Sequence, residues 1–316
     1  MDALPTTPER GRYDAPAAEP EPGPTVGPTP TPAVSVCVPV YKGEQFLAVT
    51  LEHLLAQTMP DVEIVVLDNA SPDRSAEIAA SYGDPRIRIE HNTKTLPLTA
   101  NWNRAVALSR APLVNLVCAD DLIHPRCLEI QAAELEADPE AALVVHRQDL
   151  VDGHGRRLAR SRFLRGMLGR LDHTEVLRRT VRDGANPIGA PVGVMFRRSA
   201  FDATDGFRHE KLFLADLDLY LQLSAQGPLI GRAPTLASFR VVAGTVSAAA
   251  GRAEYAVQRR FTRELAREPE VRRRDVVVSI LNAPLKRLRR ETIFAASRWS
   301  QHSPPPAPGG RTDQGL

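Results

Sequence analysis

Cysteine is scarce in this chain of 316 residues, with three copies at Cys37, Cys118 and Cys127 and no CxxC spacing. An odd count without paired spacing excludes a disulfide framework, and Cys37 and Cys118 sit in apolar runs, as small buried hydrophobes do. That usage fits a reducing, cytoplasmic setting. Strong charge of one sign is also missing. Lys and Arg total 40 against 38 Asp and Glu, so the net charge is +2, and no global field points to nucleic acid. No apolar run reaches the ~18 residues that a bilayer span needs. The opening MDALPTTPERGRYDAPAAEPEPGPT places acidic and proline residues where a signal peptide carries its apolar stretch. Any membrane contact is therefore expected to be peripheral.

The 27 prolines crowd the two ends. Residues 1–32 and 301–316 are rich in Pro, Ala, Thr and Gly, bury too little apolar surface to offset their ordering entropy, and read as disordered tails. Between them strand and helix patterns alternate. Residues 34–40 (VSVCVPV) form a short apolar run and thus a buried strand. Over 44–56, Phe46, Leu47, Leu51, Leu54 and Leu55 recur at helical spacing. A second strand covers 62–67, and Ser71 with Pro72 reads as an N-cap and first position of a helix running to about Ser81. A strand at 87–90, a helix at 99–108, a strand at 113–118, a helix at 125–137 and a strand at 143–146 complete the series. Near-continuous apolar strands alternating with helices predict an α/β fold: a mostly parallel sheet flanked by helices on both faces.

In such sheets ligands bind at the carboxyl ends of the strands. The polar residues after the first strands are Tyr41; Asp68, Asn69, Ser71 and Asp73; His91 and Asn92; and Asp120 with Asp121. Carboxylates gathered on one rim repel unless a cation lies between them. Mg²⁺ or Mn²⁺ suits an all-oxygen set and commonly takes one or two carboxylates plus substrate phosphates. Asp73 serves equally well as a cap in a turn.

The order of these motifs resembles the large second family of inverting glycosyltransferases, which has a GT-A fold. Pro39–Val40–Tyr41 resembles its opening turn, and Asp68 to Asp73 its nucleotide loop. Asn92 followed by Ala100–Asn101–Trp102–Asn103 resembles its next helix, and Ala119–Asp120–Asp121 its DXD-type element. Phe196–Arg197–Arg198 with Gly206–Phe207, then Leu214 to Leu221, then Arg240 to Ser247 resemble its later segments. The resemblance implies a GT-A domain over 33–248 and a nucleotide-sugar donor, UDP-linked. Pro39, Tyr41, Asp68, Asn69, Ser71, Asn92, Asn103 and Asp120 would line the nucleotide, Asp121 would bind the metal, and Asp216 would be the catalytic base. Opposite the metal, a carboxylate takes the proton of an acceptor hydroxyl. The acceptor is a saccharide, a lipid-linked compound or a small molecule.

Two positions depart from the pattern: Ala215 stands before Asp216, and Val242 stands where many relatives carry a histidine. A loosely held Mg²⁺ or Mn²⁺ that arrives with the nucleotide-sugar is expected, with His209 or Arg240 partly replacing the histidine. Asp218, two residues past Asp216, reads as a solvated helix face. Trp102 reads as core. Arg197 and Arg198 read as a strand-closing pair, or as one diphosphate contact. Gly189–Ala190–Pro191 reads as an acceptor-side loop with room for substrate, 156–184 as an irregular, arginine-rich loop, and His146 and His173 as structural or exposed. Residues 249–300 read as a basic helical appendage, packed on the catalytic domain or lying against an anionic membrane. Two other functions fit less well. A sugar nucleotidyltransferase would carry a glycine-rich phosphate loop, whereas Tyr41–Lys42–Gly43–Glu44 holds one glycine. A non-catalytic nucleotide-binding relative would account for Ala215 and Val242.

Overall fold

A computed structural model describes residues 31–242, 251–283 and 292. Ten strands form one sheet in the order β3-β2-β1-β4-β9-β6-β10-β5, with β7 on β6 and β8 on β10. The strands are β1 (Val34–Val40), β2 (Val62–Asp68), β3 (Ile87–His91), β4 (Leu113–Leu116), β5 (Leu122–Ile123), β6 (Leu143–Val151), β7 (Arg157–Arg162), β8 (Gly169–Leu171), β9 (Val194–Arg197) and β10 (Leu229–Arg240). The run β3-β2-β1-β4 is parallel throughout. Antiparallel β9 then joins β4 to β6, and β6 runs parallel to β10. The helices are α1 (Leu47–Leu55), α2 (Ser75–Ser81), α3 (Leu98–Ala107), α4 (Cys127–Ala137), α5 (His173–Asp183), α6 (Arg198–Asp202), α7 (Ala215–Gln226), α8 (Gly251–Leu265) and α9 (273–283).

Strand alternation divides the interior into two cores. Val34, Val36, Val38 and Val40 of β1 face one side, with Leu47, Leu51 and Leu54 of α1 and Leu128 and Leu135 of α4. Cys37 and Leu67 face the other, with Ala105 and Val106 of α3, Val176 and Leu177 of α5, and Leu217 to Leu223 of α7. Each such side chain contributes about 1.5–3 kcal/mol by leaving water, so the parallel half is held from both faces, as the apolar runs predict.

Several local expectations need correction. The segment 71–74 is a turn, and α2 begins at Ser75 with Arg74 at its N-cap. Ser71 does not cap the helix. Its N–H donates to the Asp68 carboxylate and its Oγ accepts from the Lys42 N–H. Residues 156–184 are not irregular: they form β7, β8 and α5. The Asp172 side chain caps α5 by accepting from the Glu175 N–H at 2.8 Å, and Gly184 ends it at φ 63°. Both signals are visible in the sequence. Asp218 is buried rather than solvated: the Arg208 guanidinium grips both its oxygens, and Gln222 donates to it at 3.0 Å. The room expected around Gly189–Ala190–Pro191 is filled from within. A Cβ on Gly189 would stand 2.8 Å from Gln148 Nε2 and 2.9 Å from Phe163, while Gln148 binds Ala190 through both ends of its amide. His146 is fully buried on β6, and His173 Nδ1 lies 2.8 Å from Ser224 Oγ.

The appendage packs on the sheet domain. Glu264 of α8 pairs with Lys211 at 2.7 Å, and Arg178 and Arg182 of α5 reach Glu270 and Asp275. Apart from residues 31, 32 and 292, the expected tails 1–32 and 301–316 and the basic segment 284–300 lie outside the described residues. No described helix is long and apolar enough to cross a membrane.

Candidate active site

Register sets the rim. Val40 pairs with Asp68 and Asp68 with His91, so the carboxyl ends of β1, β2 and β3 lie level. The β1–β4 ladder stops at Cys37 and Leu116. Pro39 lies past that rung and has no N–H to continue it. It is buried inside β1, while Tyr41, just beyond the strand, is 48% exposed with Lys42 Nζ 5.3 Å from its ring centre. Lys42 (φ 56°) and Ala70 (φ 53°) both adopt left-handed backbone beside these strand ends, a conformation that costs energy in residues with a side chain and concentrates at working sites.

Around the second strand end, polar side chains bind each other. Asp68 is buried, accepts from the Ser71 N–H at 3.3 Å, and has His91 Nδ1 at 3.6 Å. Asp73 accepts from the Glu44 and Ser75 N–H groups and so ties the 41–44 turn to α2. Burial opposes its ionised form, but the bond from the Ser75 hydroxyl and then these backbone bonds outweigh it and lower its pKa. Asn69 is spent on the fold. Its amide donates to the Leu96 carbonyl, and its Oδ1 accepts from Asn92 and from the Leu96 N–H. Asn92 also donates to Asn101 Oδ1 at 2.8 Å, and its own buried Oδ1 has no hydrogen-bond partner. Asn103, expected at the nucleotide, instead clasps the backbone of Phe207 through both ends of its amide. Trp102 meets Phe207 edge-on at 5.0 Å, as a core residue. Asn101 thus stands beside Asn92 where Asn103 was expected.

The carboxylate pair sits where β4 hands over to β5. Thr50 of α1 donates to the carbonyls of Ala119 and Asp121, both at 3.0 Å, and so holds the turn. β5 pairs with Ala237 and Ser238 of β10, which brings Arg240 against the pair. The Arg240 N–H donates to Asp121 Oδ1 at 3.0 Å and its Nε to the Asp120 carbonyl at 2.7 Å, while its guanidinium lies 4.7 Å over the Phe46 ring. Arg240 therefore does stand at the site, whereas His209 is exposed. Asp121 is fully buried and its Oδ2 has no hydrogen-bond partner. Burial, then the neighbouring Asp120, push its pKa well above the carboxylate range, and burial also raises that of Asp120.

Cys118, Asp120 and Asp121 bring one ligand atom each within 4.8 Å of one another. Burial and then the charges of Asp121, Asp120 and Asp216 raise the Cys118 pKa far above that of a free thiol, which disfavours a thiolate there while the site holds no cation. The two carboxylates form a hard, oxygen donor set that suits Mg²⁺ or Mn²⁺, and the orphaned Oδ2 is the atom such an ion would satisfy.

Asp216 lies in the first turn of α7. Its Oδ2 accepts from Asn186 Nδ2 at 2.9 Å, and Asn186 Oδ1 accepts from the Ile188 and Gly189 N–H groups. One turn on, Tyr220 is buried, and its hydroxyl lacks a hydrogen-bond partner. Burial and the charges of Asp216 and Asp121 raise its pKa well above that of a free phenol. Residues 216 and 121, far apart in sequence, thus act on the same two groups, Cys118 and Tyr220. Asn186, Asn101, Arg240 and Tyr220 belong to this site, and in the sequence only Arg240 drew attention. Arg197 and Arg198 do not belong to it. Arg197 donates to the carbonyls of Leu135, Asp138 and Ala141 at the end of α4, and Arg198 to those of Val106 and Ser109 after α3.

The chain is similar to known proteins in sequence and in fold. Uncharacterized protein MT1568 of Mycobacterium tuberculosis (strain CDC 1551 / Oshkosh) is 33% identical over 199 residues, covering 60% of this chain and 61% of that protein. The chain thus spans about three fifths of that relative's length. Among solved structures, S. aureus TarS 1-349 in complex with UDP-GlcNAc superposes with a TM-score of 0.58 at 17% identity, covering 78% of this chain and 71% of that one. Mannosyltransferase PcManGT from Pyrobaculum calidifontis in complex with GDP-Man and Mn²⁺ gives 0.55 at 19%, covering 87% and 76%. At such identities the two superpositions establish the fold, which is of GT-A type. Residues 35–204 match Glycosyl transferase family 2, and with a match over more than half its length the chain belongs to that family of glycosyltransferase enzymes.

Proposed function

We propose that this enzyme moves a sugar from a nucleotide-sugar, UDP-linked, to a hydroxyl acceptor in one inverting displacement, with Asp216 as the base. The acceptor is a saccharide, a lipid-linked compound or a small molecule, and the unit that does the work is 33–248, in a cytoplasmic setting. The observation that carries this reading is the convergence of two kinds of carboxylate on Cys118 and Tyr220. One is the buried Asp121 with the half-buried Asp120 beside it, and the other is Asp216, held by a neutral amide. The UDP-GlcNAc and GDP-Man complexes of the similar structures support a nucleotide-sugar donor, and the Mn²⁺ in one of them supports a metal.

Asp121 Oδ2 and Asp120 would hold a Mg²⁺ or Mn²⁺ that arrives with the donor. When bound, that ion offsets the charge growing on the departing diphosphate. The rest is the work of the chain. Asp68 accepts a hydrogen bond from the base, Asp120 supports the ribose, and Tyr41, exposed at the rim, borders the nucleotide. Asn92 offers its unpartnered Oδ1 as a further acceptor. Pro39, Asn69 and Ser71 shape the turns around it. Asp216 takes the acceptor's proton as its oxygen bonds to the anomeric carbon. The bond from that carbon to the diphosphate oxygen breaks, and the nucleoside diphosphate leaves with the electron pair. Asn186 and the Leu217 N–H hold one oxygen each of Asp216 and so fix the carboxylate toward the acceptor.

Asp216→Asn tests the reading. Transfer from UDP-sugars, followed as UDP release, is expected to fall by on the order of 10²–10⁴, while calorimetric binding of UDP with Mn²⁺ stays at the wild-type value. The product's anomeric configuration, read by NMR, should be inverted. Wild-type turnover in the variant, or a retained configuration, overturns the mechanism.

A further inference from the structure

Helix α9, at residues 273–283, is amphipathic in the opposite sense to a helix laid on a core. Its polar residues face the protein. Asp275 is fully buried and accepts from Arg182 Nε at 2.5 Å and from the Arg272 N–H at 3.0 Å. Ser279 Oγ lies 2.8 Å from where a Cβ on Gly184 would stand, and Asn282 donates to the Arg182 carbonyl at 3.5 Å. Positions 275, 279 and 282 make one stripe of the helix. Its apolar residues face outward: Val277 is 53% exposed, Ile280 66% and Leu281 73%, with Val278 beside them at 38%. At about 100° per residue these four share an arc of roughly 160°, opposite the polar stripe.

The exposed charged residues of 272–283 are all basic. Arg273 and Arg274 are exposed and fall on the same arc one turn earlier, with Arg272 exposed beside them. Outside the described residues, the sequence continues with Lys286, Arg287, Arg289 and Arg290, then Glu291. Asp275 is the one acidic residue between 272 and 290, and it is buried on the opposite side against Arg182. An apolar patch with a basic border suits an anionic lipid surface, where headgroup phosphates meet the arginines and branched side chains enter the acyl boundary.

We propose that α9 is a membrane-docking face that seats the enzyme on anionic lipid through Val277, Val278, Ile280 and Leu281, steered by Arg273 and Arg274. This rests on α9 alone and does not depend on the transfer chemistry above. The experiment is co-sedimentation of the full chain with phosphatidylcholine vesicles, with and without phosphatidylglycerol, at low and high salt. Binding is expected only with phosphatidylglycerol and should weaken as salt screens the arginines. Arg273→Gln with Arg274→Gln should lower the partition coefficient about 25-fold, at about fivefold per charge. Ile280→Asp with Leu281→Asp should lower it by on the order of 100-fold, with the thermal midpoint unchanged because both side chains already face solvent. Equal binding to neutral and anionic vesicles overturns the proposal, as does undiminished binding of the Ile280/Leu281 variant. So does a dimer, seen by analytical ultracentrifugation, that the same variant dissolves while the wild type ignores vesicles.

Discussion

Replacing Asp121 by asparagine should stabilise the metal-free protein while removing its metal–nucleotide affinity. The Asp121 carboxylate is wholly buried; one oxygen accepts a single backbone N–H, and the other has no hydrogen-bond partner. Burying an ion costs several kcal/mol after relaxation. Arg240 offsets part of this through space, although its guanidinium binds the carbonyls of Asp120, Asp152 and Gly153 rather than the carboxylate. A net penalty of about 2 kcal/mol remains for the ionised form. Asparagine keeps the shape and the Oδ1 acceptor without the charge. At about 2–4 °C per kcal/mol for a fold of this size, the midpoint should rise by about 4–8 °C. The sign has a pH signature. The folded pKa of Asp121 is raised, so the wild type loses stability as pH climbs from the unfolded value near 4 through the folded one. The asparagine variant does not titrate. The gap between them should be small at about pH 4 and widen upward, which differential scanning calorimetry without metal would record. With Mn²⁺ and UDP the wild type should gain stability by linkage and the variant should not. A lower midpoint for the variant across the pH range, or a gap that does not grow with pH, would refute the reasoning.

Arg197→Met removes the charged donors that close α4 and should cost about 2–3 kcal/mol in urea unfolding, with UDP affinity by calorimetry unchanged. A large loss of UDP affinity would instead restore a diphosphate contact for this residue. Asn186→Ala frees Asp216 from its amide, and kcat should drop about tenfold while nucleotide binding holds. His146 is buried between Glu134 and Arg232, and burial lowers its pKa to about 4. The unfolded chain takes up a proton near pH 6.5 and the folded one does not, so stability should fall as pH drops from about 6.5 to about 4. His146→Leu should flatten that limb in a pH series of thermal midpoints.

Short-range patterns were legible in the chain. The runs at 34–40 and 62–67 read as buried strands because they are mostly apolar, with Ser35 and Glu63 satisfying each other inside, and the alternation with helices then fixes a parallel half-sheet. The strand-end carboxylates followed from that topology. The Asp172–Glu175 cap and Gly184 were equally readable in principle, yet the arginine content of the segment masked them.

What failed depends on partners distant in sequence. Asp218 looks solvent-facing until Arg208 and Gln222 close over it. Arg197 and Arg198 look like a surface pair until the carbonyls at the ends of α3 and α4 meet them. Asn101 and Asn103 are two residues apart on one helix, and only the position of Phe207 decides which amide is occupied. By itself the sequence determined the strands of the parallel half, the rim and the carboxylates available there, because periodicity and strand polarity are local properties. Tertiary structure decided which oxygen of Asp121 stays unpartnered and that Asn186 binds Asp216. A hydrogen bond or a desolvated charge is a property of two groups, and the chain lists them one at a time.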